Sequence, residues 1–366
     1  MRVDRLEIGA YTVPNEDGAT ESDGTLAWDS VTMVVVEAVA GGMRGLGYTY
    51  GSEVTAALIA SKLRSEVEGR TVDERRDVWE AMVRAVRNLG RPGVASLAIS
   101  AVDAALWDLA ARAAGMPLYR LLGARRTEVP IYGSGGFTSY DVPRLVDQLG
   151  GWVRQGIPRV KMKIGVELGN RPEADVDRIA TVRDAIGPDA ELFVDANGAY
   201  TAKQVVRMAE RLQTLGVVYF EEPVSSDHLQ ELALLRRQVP FDVAAGEYGY
   251  DPWYFRAMVA AEAVDVLQAD VSRCLGITGW LEAAAIAHSA GIPFSAHCCP
   301  SLTLHAACAA PQISHLEYFV DHVRVEGMLF DGAPAPLPGG VIRPDPDRPG
   351  LGLDLKHADA DRWRVA

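Results

Sequence analysis

The 366-residue chain is 48% hydrophobic and 23% charged, with a formal net charge of −13, a composition that points to a soluble globular protein with ample core. The acidity argues against a nucleic-acid partner, which needs a basic face. No uninterrupted apolar run approaches the about 18 residues of a membrane span, so no membrane partner is expected. The four cysteines, Cys274, Cys298, Cys299 and Cys308, match neither a zinc spacing nor a disulfide framework, and Met1-Arg2-Val3-Asp4 opens no signal-peptide apolar stretch. A reducing cytoplasm is the expected compartment.

Leu6 to Val13, Val31 to Val39 and Met43 to Tyr50 alternate apolar and polar residues, with Gly41-Gly42 between the last two. They predict an antiparallel meander. Its first connection, Asn15 to Ser30, is polar and carries Glu16, Asp17, Glu21, Asp23 and Asp29. From Val72 the spacing of Trp79, Met82, Val83 and Val86 becomes helical and stops at Leu89-Gly90. A second, largely apolar helix is predicted from about Val94 to Ala114, closed by Gly115 and Pro117. Residues 1–125 therefore read as an α+β domain.

After Gly123 strands and helices alternate. Strands are predicted at 129–133, 159–164, 191–195, 217–221, 242–246, 265–270, 292–296 and 315–319. Helices between them include Glu173–Ile186, Ala202–Leu215 and Trp280–Ala290. Eight strands with amphipathic helices between them predict a parallel α/β barrel over 126–335. The Pro- and Gly-rich tail, 336–366, has no room for another unit and is expected to pack back on the first domain. No Gly-rich phosphate fingerprint is present.

Three successive predicted strands end in, or run directly into, an acid: Asp195, Glu221 and Glu247, each one strand–helix unit after the last. At the carboxyl face of a barrel these side chains converge, and clustered carboxylates call for a cation. Lys161 and Lys163, two apart on one strand, share a face. Mutual repulsion and burial would lower their pKa values and make a base of one. Asp270 and His297 end adjacent strands, a carboxylate–imidazole dyad. Glu317 adds an acid that could donate a hydrogen bond if protonated.

The ordered set Lys161-x-Lys163, Asp195-x-Asn197, Glu221-Glu222-Pro223, Gly246-Glu247, Asp270, His297 and Glu317 resembles the mandelate racemase subgroup of the enolase superfamily. So do Asp103-x-Ala105-x-Trp107-Asp108, Leu121-Leu122-Gly123 and Gly276-Ile277-Thr278-Gly279-Trp280, and the resemblance covers almost the whole chain. It implies a modified (β/α)7β TIM barrel with an N-terminal α+β capping domain. It also implies Mg²⁺ on Asp195, Glu221 and Glu247, and removal of the α-proton of a carboxylate substrate to give an enediolate. That pattern of base and metal is the superfamily's own and is carried here by the resemblance. By similarity Lys163 is one base, His297 with Asp270 the opposite one, and Lys161 assists at the carboxylate; Glu222 faces away.

Among lyases of this kind, dehydration of a five- or six-carbon mono- or diacid sugar to a 2-keto-3-deoxy acid is the leading expectation. A racemase, epimerase or cycloisomerase on the same site is the alternative, and a silent ligand-binding scaffold is disfavoured by the full set of charged groups. The polar 15–30 loop with Tyr48 and Tyr50 is expected to meet the substrate hydroxyls. Asn197, Arg273 and His305 are further candidate contacts. A homo-oligomer is expected.

Overall fold

The computed structural model describes residues 1–366. The meander is present as β1 (Arg5–Pro14), β2 (Ser30–Ala40) and β3 (Met43–Tyr50), paired antiparallel in that order. Helix α1 (Val94–Ala113) packs across the sheet. Gly47 permits that contact: a Cβ there would sit 2.1 Å from the Ala101 carbonyl oxygen. By length and composition α1 could cross a bilayer, yet 78% of its apolar window is buried within the protein. It is the core helix of this domain. The sequence reading passes over Glu53–Val67, which is helical with one π turn at Ile59–Leu63. Its buried Ala56, Ile59, Leu63 and Val67 keep helical spacing, so the signal was there to read.

Eight parallel strands follow: β4 (Val129–Gly135), β5 (Arg159–Lys163), β6 (Glu191–Asp195), β7 (Val217–Glu221), β8 (Asp242–Ala245), β9 (Val266–Ala269), β10 (Phe294–Ala296) and β11 (His315–Phe319). Each pairs with the next, and β11 pairs with β4 to close the barrel. The fold is thus a modified TIM barrel with an N-terminal capping domain. Inside it, Tyr132, Phe193, Tyr219, Ala244 and Val266 form an apolar layer against the His315 ring. This layer seals the barrel below its mouth.

One helix start differs from expectation by a full turn. Helix α2 runs Gly276–Ser289 and begins four residues before Trp280. Asp103 of α1 caps it from outside, accepting from Thr278 N (2.9 Å) and Thr278 Oγ1 (2.7 Å). A cap supplied by another domain leaves no local sequence signal. The tail touches both domains: Val341–Ile342 pairs with β4, Leu351 N donates to Asp108 of α1 (2.5 Å), and Val365 N donates to Ala10 of β1 (2.8 Å).

Candidate active site

Parallel register sets the height of the charged groups. Lys163, Asp195 and Glu221 are successive lateral partners on β5, β6 and β7, so they form one row at the mouth. Lys161 lies one inward position deeper, beside the Tyr132 ring, and is fully buried. Its Nζ donates to Glu221 Oε2 at 2.6 Å and lies 2.9 Å from Glu317 and 3.4 Å from Asp195. Lys163 donates to Asp195 Oδ2. Glu247 follows β8, and its Oε1 accepts from Arg273 at 3.1 Å. Asp270 Oδ2 holds His297 Nδ1 at 2.7 Å, while Ser272 donates to the other oxygen through its backbone N and Oγ.

Acids and bases do not balance by contact alone. Burial pushes Glu221 up to about 8 in spite of Lys161, because the charges on Asp195, Glu317 and Glu247 oppose its own. Glu221 Oε1 and Glu247 Oε2 are buried with no hydrogen-bond partner. Ligand atoms of Glu221, Glu247 and His297 lie within 4.8 Å of one another, and Asp195 adjoins through the shared lysines. Orphaned carboxylate oxygens converging from adjacent strand ends are what a hard, oxygen-seeking divalent cation satisfies.

Two electrostatic expectations fail. Burial is the largest single effect on both lysines and works to lower them, but the surrounding carboxylates together outweigh it: Asp195, Glu247 and Asp23 at Lys163, and Glu221, Glu317 and Asp195 at Lys161. Both are raised rather than lowered, since each ammonium faces more carboxylate than ammonium. Burial works to raise Glu317 as well, yet Lys161 and His297 hold it well below the usual range. It is a carboxylate that accepts from Cys298 N (3.0 Å) rather than an acid that donates. His297 is raised, burial being overcome by Glu247, Glu317 and the Asp270 hydrogen bond.

The row opens into a cavity of about 250 Å³ between barrel and cap, with Lys163, Asn197, Glu247, Arg273 and His297 on the barrel side. The 15–30 loop covers it. Gly24 lets that loop lie on the mouth, where a Cβ would stand 2.4 Å from the Ala196 carbonyl oxygen. Of the loop's five acids only Asp23 lines the cavity, beside Leu26 and Trp28. Glu21 points away to Tyr140 (2.8 Å) and Arg144 (3.2 Å).

The candidate contacts divide. Tyr50 lines the cavity, with its ring stacked on His322 at 3.5 Å. Tyr48 does not: it is fully buried beneath, donating to Glu326 at 2.7 Å. Odd–even alternation gave both tyrosines one face, but the buried Glu326 on helix α3 (Val320–Leu329) claims the deeper hydroxyl. His305 lies elsewhere, between Tyr119 N and the Leu351 carbonyl. Asn197 carries an unpartnered Oδ1 at a left-handed φ of 46°. Glu222 lines a neighbouring cavity with Tyr254 and Ser226. Sequence reasoning missed Phe319 at the end of β11 and Asp321 and His322 just beyond it, all of which line the site. Only their position after a strand end marked them.

A capped parallel barrel whose strand ends carry three acids, two lysines and an Asp–His dyad defines an enzyme site. The chain belongs to the mandelate racemase/muconate lactonizing enzyme family of the enolase superfamily. Residues 17–123 match the family's N-terminal domain, and 144–360 match the enolase C-terminal domain-like family. Relatives include the arabinonate dehydratase of Saccharolobus solfataricus, 32% identical over 78% of this chain and 77% of the relative. The 3,6-anhydro-alpha-L-galactonate cycloisomerase of Streptomyces coelicolor is 30% identical over 99% of each.

Among solved structures, a mandelate racemase/muconate lactonizing enzyme-like protein from Rubrobacter xylanophilus superposes with TM-score 0.95 at 52% identity, covering 100% of both chains. A racemase from Streptomyces coelicolor A3(2) with bound magnesium reaches 0.92 at 29% identity, covering 99% and 100%. L-Talarate dehydratase from a Polaromonas species, complexed with Mg and L-glucarate, reaches 0.88 at 27% identity, covering 100% and 98%. Lyases and isomerases share this scaffold, and this chain is an enzyme of that lyase-or-isomerase group.

Proposed function

We propose that the chain removes the α-proton of a sugar acid and expels the β-hydroxyl, giving a 2-keto-3-deoxy acid. One observation carries the reading: Lys163 and His297 line the same cavity from β5 and from the end of β10, with the carboxylate row beside them. Two proton-transfer groups on different walls can reach different faces of one carbon.

Asp195, Glu221 and Glu247 would hold Mg²⁺, as the orphaned oxygens of Glu221 and Glu247 suit it. Bound there, the ion supplies the positive charge that makes a proton α to a carboxylate acidic enough to remove. With Asp195 and its neighbours committed to such an ion, Lys163 would lose the carboxylates that hold its proton and would be free to act as base. Lys161, fixed between Glu221 and Glu317, holds its charge at the floor of the site. His297, kept protonated by Glu247, Glu317 and Asp270, gives its proton to the departing hydroxyl, which leaves as water. Asp270 holds the ring so that Nε2 is the nitrogen facing the cavity.

Cycloisomerisation is the second reading, favoured by the relative matched over 99% of its length. It shares the proton abstraction and differs in the group expelled. The test is proton NMR of a sugar-acid library in D₂O with Mg²⁺. Loss of the α-proton signal together with a 2-keto-3-deoxy product is expected. Chelation should abolish turnover and Mg²⁺ restore it. Turnover of mandelate or another aryl acid, with no sugar acid exchanged or processed, would overturn the reading, as would full activity in exhaustively metal-free buffer. We further propose that the enzyme works in the cytoplasm as a homo-oligomer.

A further inference from the structure

We infer that the cavity selects a monocarboxylate, its one acid group at the barrel floor and an uncharged end against the cap; the inference rests on the sugar-acid reading above. Three cationic side chains line the cavity: Lys163, Arg273 and His297. All belong to the barrel floor, and all are already matched. Lys163 is held by Asp195, and His297 by Asp270 at 2.7 Å. Arg273 is tied to the Glu247 carboxylate at 3.1 Å, with Asp270 at 3.5 Å.

The opposite wall has no cation. Its acidic members are Asp23 on the loop and Asp321 at the start of α3. Asp321 accepts from Trp28 Nε1 at 3.1 Å, which ties that carboxylate to the loop. Between the acids the wall is apolar, with Leu26, Trp28, Val31 and Phe319. His322, which also lines it, is an uncharged donor: Cys299 N donates to its Nδ1 at 3.2 Å, so the proton of the ring sits on Nε2. Burial draws its pKa down to about 3, in keeping with a neutral ring.

A second carboxylate brought to this wall would lose its water and face two acids with no cation to pair with. A hydroxyl or a ring oxygen meets His322 Nε2–H, Ser30 and Thr32 without that penalty. Sugar acids oxidised at one end therefore fit, and those oxidised at both ends do not.

The experiment compares aldonate and aldarate pairs of matched configuration in the presence of Mg²⁺. α-Proton exchange is followed with the wild-type enzyme, and dissociation constants are measured calorimetrically on Lys163→Ala. The aldonate should exchange and bind, and its aldarate partner should bind at least tenfold more weakly, about the loss expected for an unpaired buried charge. Equal or tighter binding of the aldarate overturns the inference and leaves the proton chemistry intact. If no sugar acid exchanges, the proposed reaction fails, while the two dissociation constants still decide the selectivity. Failure of both classes to bind overturns both. Leu26 is 64% exposed, so Leu26→Arg tests the wall without disturbing the core. It should narrow the gap at least threefold by giving the second carboxylate a partner, and an unchanged gap overturns the assignment of this wall.

Discussion

Two buried polar clusters sit within one molecule, and they are built on opposite rules. Around Asp108 and Glu326, at the seams between cap, tail and barrel, every carboxylate oxygen is served. Asp108 accepts from Leu46 N (2.6 Å), Leu351 N (2.5 Å) and Arg112 Nε (2.7 Å). Glu326 accepts from Tyr48 Oη (2.7 Å), Ser301 N (3.1 Å) and Ser301 Oγ (2.5 Å). At the barrel mouth, Glu221, Glu247 and Asn197 each keep a buried oxygen without a donor. Saturated clusters fix a structure; unsaturated ones wait for a ligand. Both clusters are buried alike, and the count of donors is what separates these two.

The largest effect tests the mouth. Lys163→Ala and His297→Asn should each lower turnover of the best sugar acid by about 10³-fold, in the middle of the range of general acid–base contributions. Exchange by Lys163 on one stereoisomer can survive in His297→Asn. Steady-state assays that find both variants at wild-type turnover would break the assignment.

Next comes the contrast itself. Asp108→Ala strands two backbone N–H groups and Arg112, so chemical denaturation should show a loss of about 3–5 kcal/mol, with kcat of the folded fraction retained. Glu221→Gln keeps the shape and removes an acid already pushed up to about 8. In metal-free buffer it should change stability by less than about 1 kcal/mol, while the rise in Tm on adding Mg²⁺ disappears. If Glu221→Gln proves the more destabilising of the two in metal-free buffer, the distinction between the clusters collapses.

The smallest effect is a pH slope. Burial raises Glu326 from the usual 4.5 to about 7, only partly offset by Ser301 and Tyr48. The folded chain therefore keeps a proton that the unfolded chain gives up between those values. Stability from this group is full below about pH 4.5, declines as pH rises to about 7, and is flat beyond. The total is at most about 3 kcal/mol. Glu326→Gln should show a shallower decline of Tm from pH 5 to pH 8. An identical slope in the two proteins would show that Glu326 does not titrate in this window.

The barrel strands were legible because a parallel strand buried on both faces leaves an apolar run, and punctuation by glycine and proline marks its ends. β6, β7 and β11 lie where the sequence places them, and the others differ by one or two residues at an end. The mouth residues were legible for a related reason: a strand end is a fixed place in a barrel, so an acid there has a known direction. Tyr48 was misread because alternation gives a face and not a depth, and depth was set by Glu326 across the domain seam.

The sequence by itself thus determined the elements, their order and the chemical types gathered at the barrel mouth, since each follows from local periodicity and chain direction. Tertiary structure alone decided the protonation of Lys161, Lys163 and Glu317, because a pKa is a sum over neighbours from several strands. It also decided the cap-facing wall. Asp23, Trp28, Asp321 and His322 lie almost three hundred positions apart along the chain and meet only when the cap closes over the barrel.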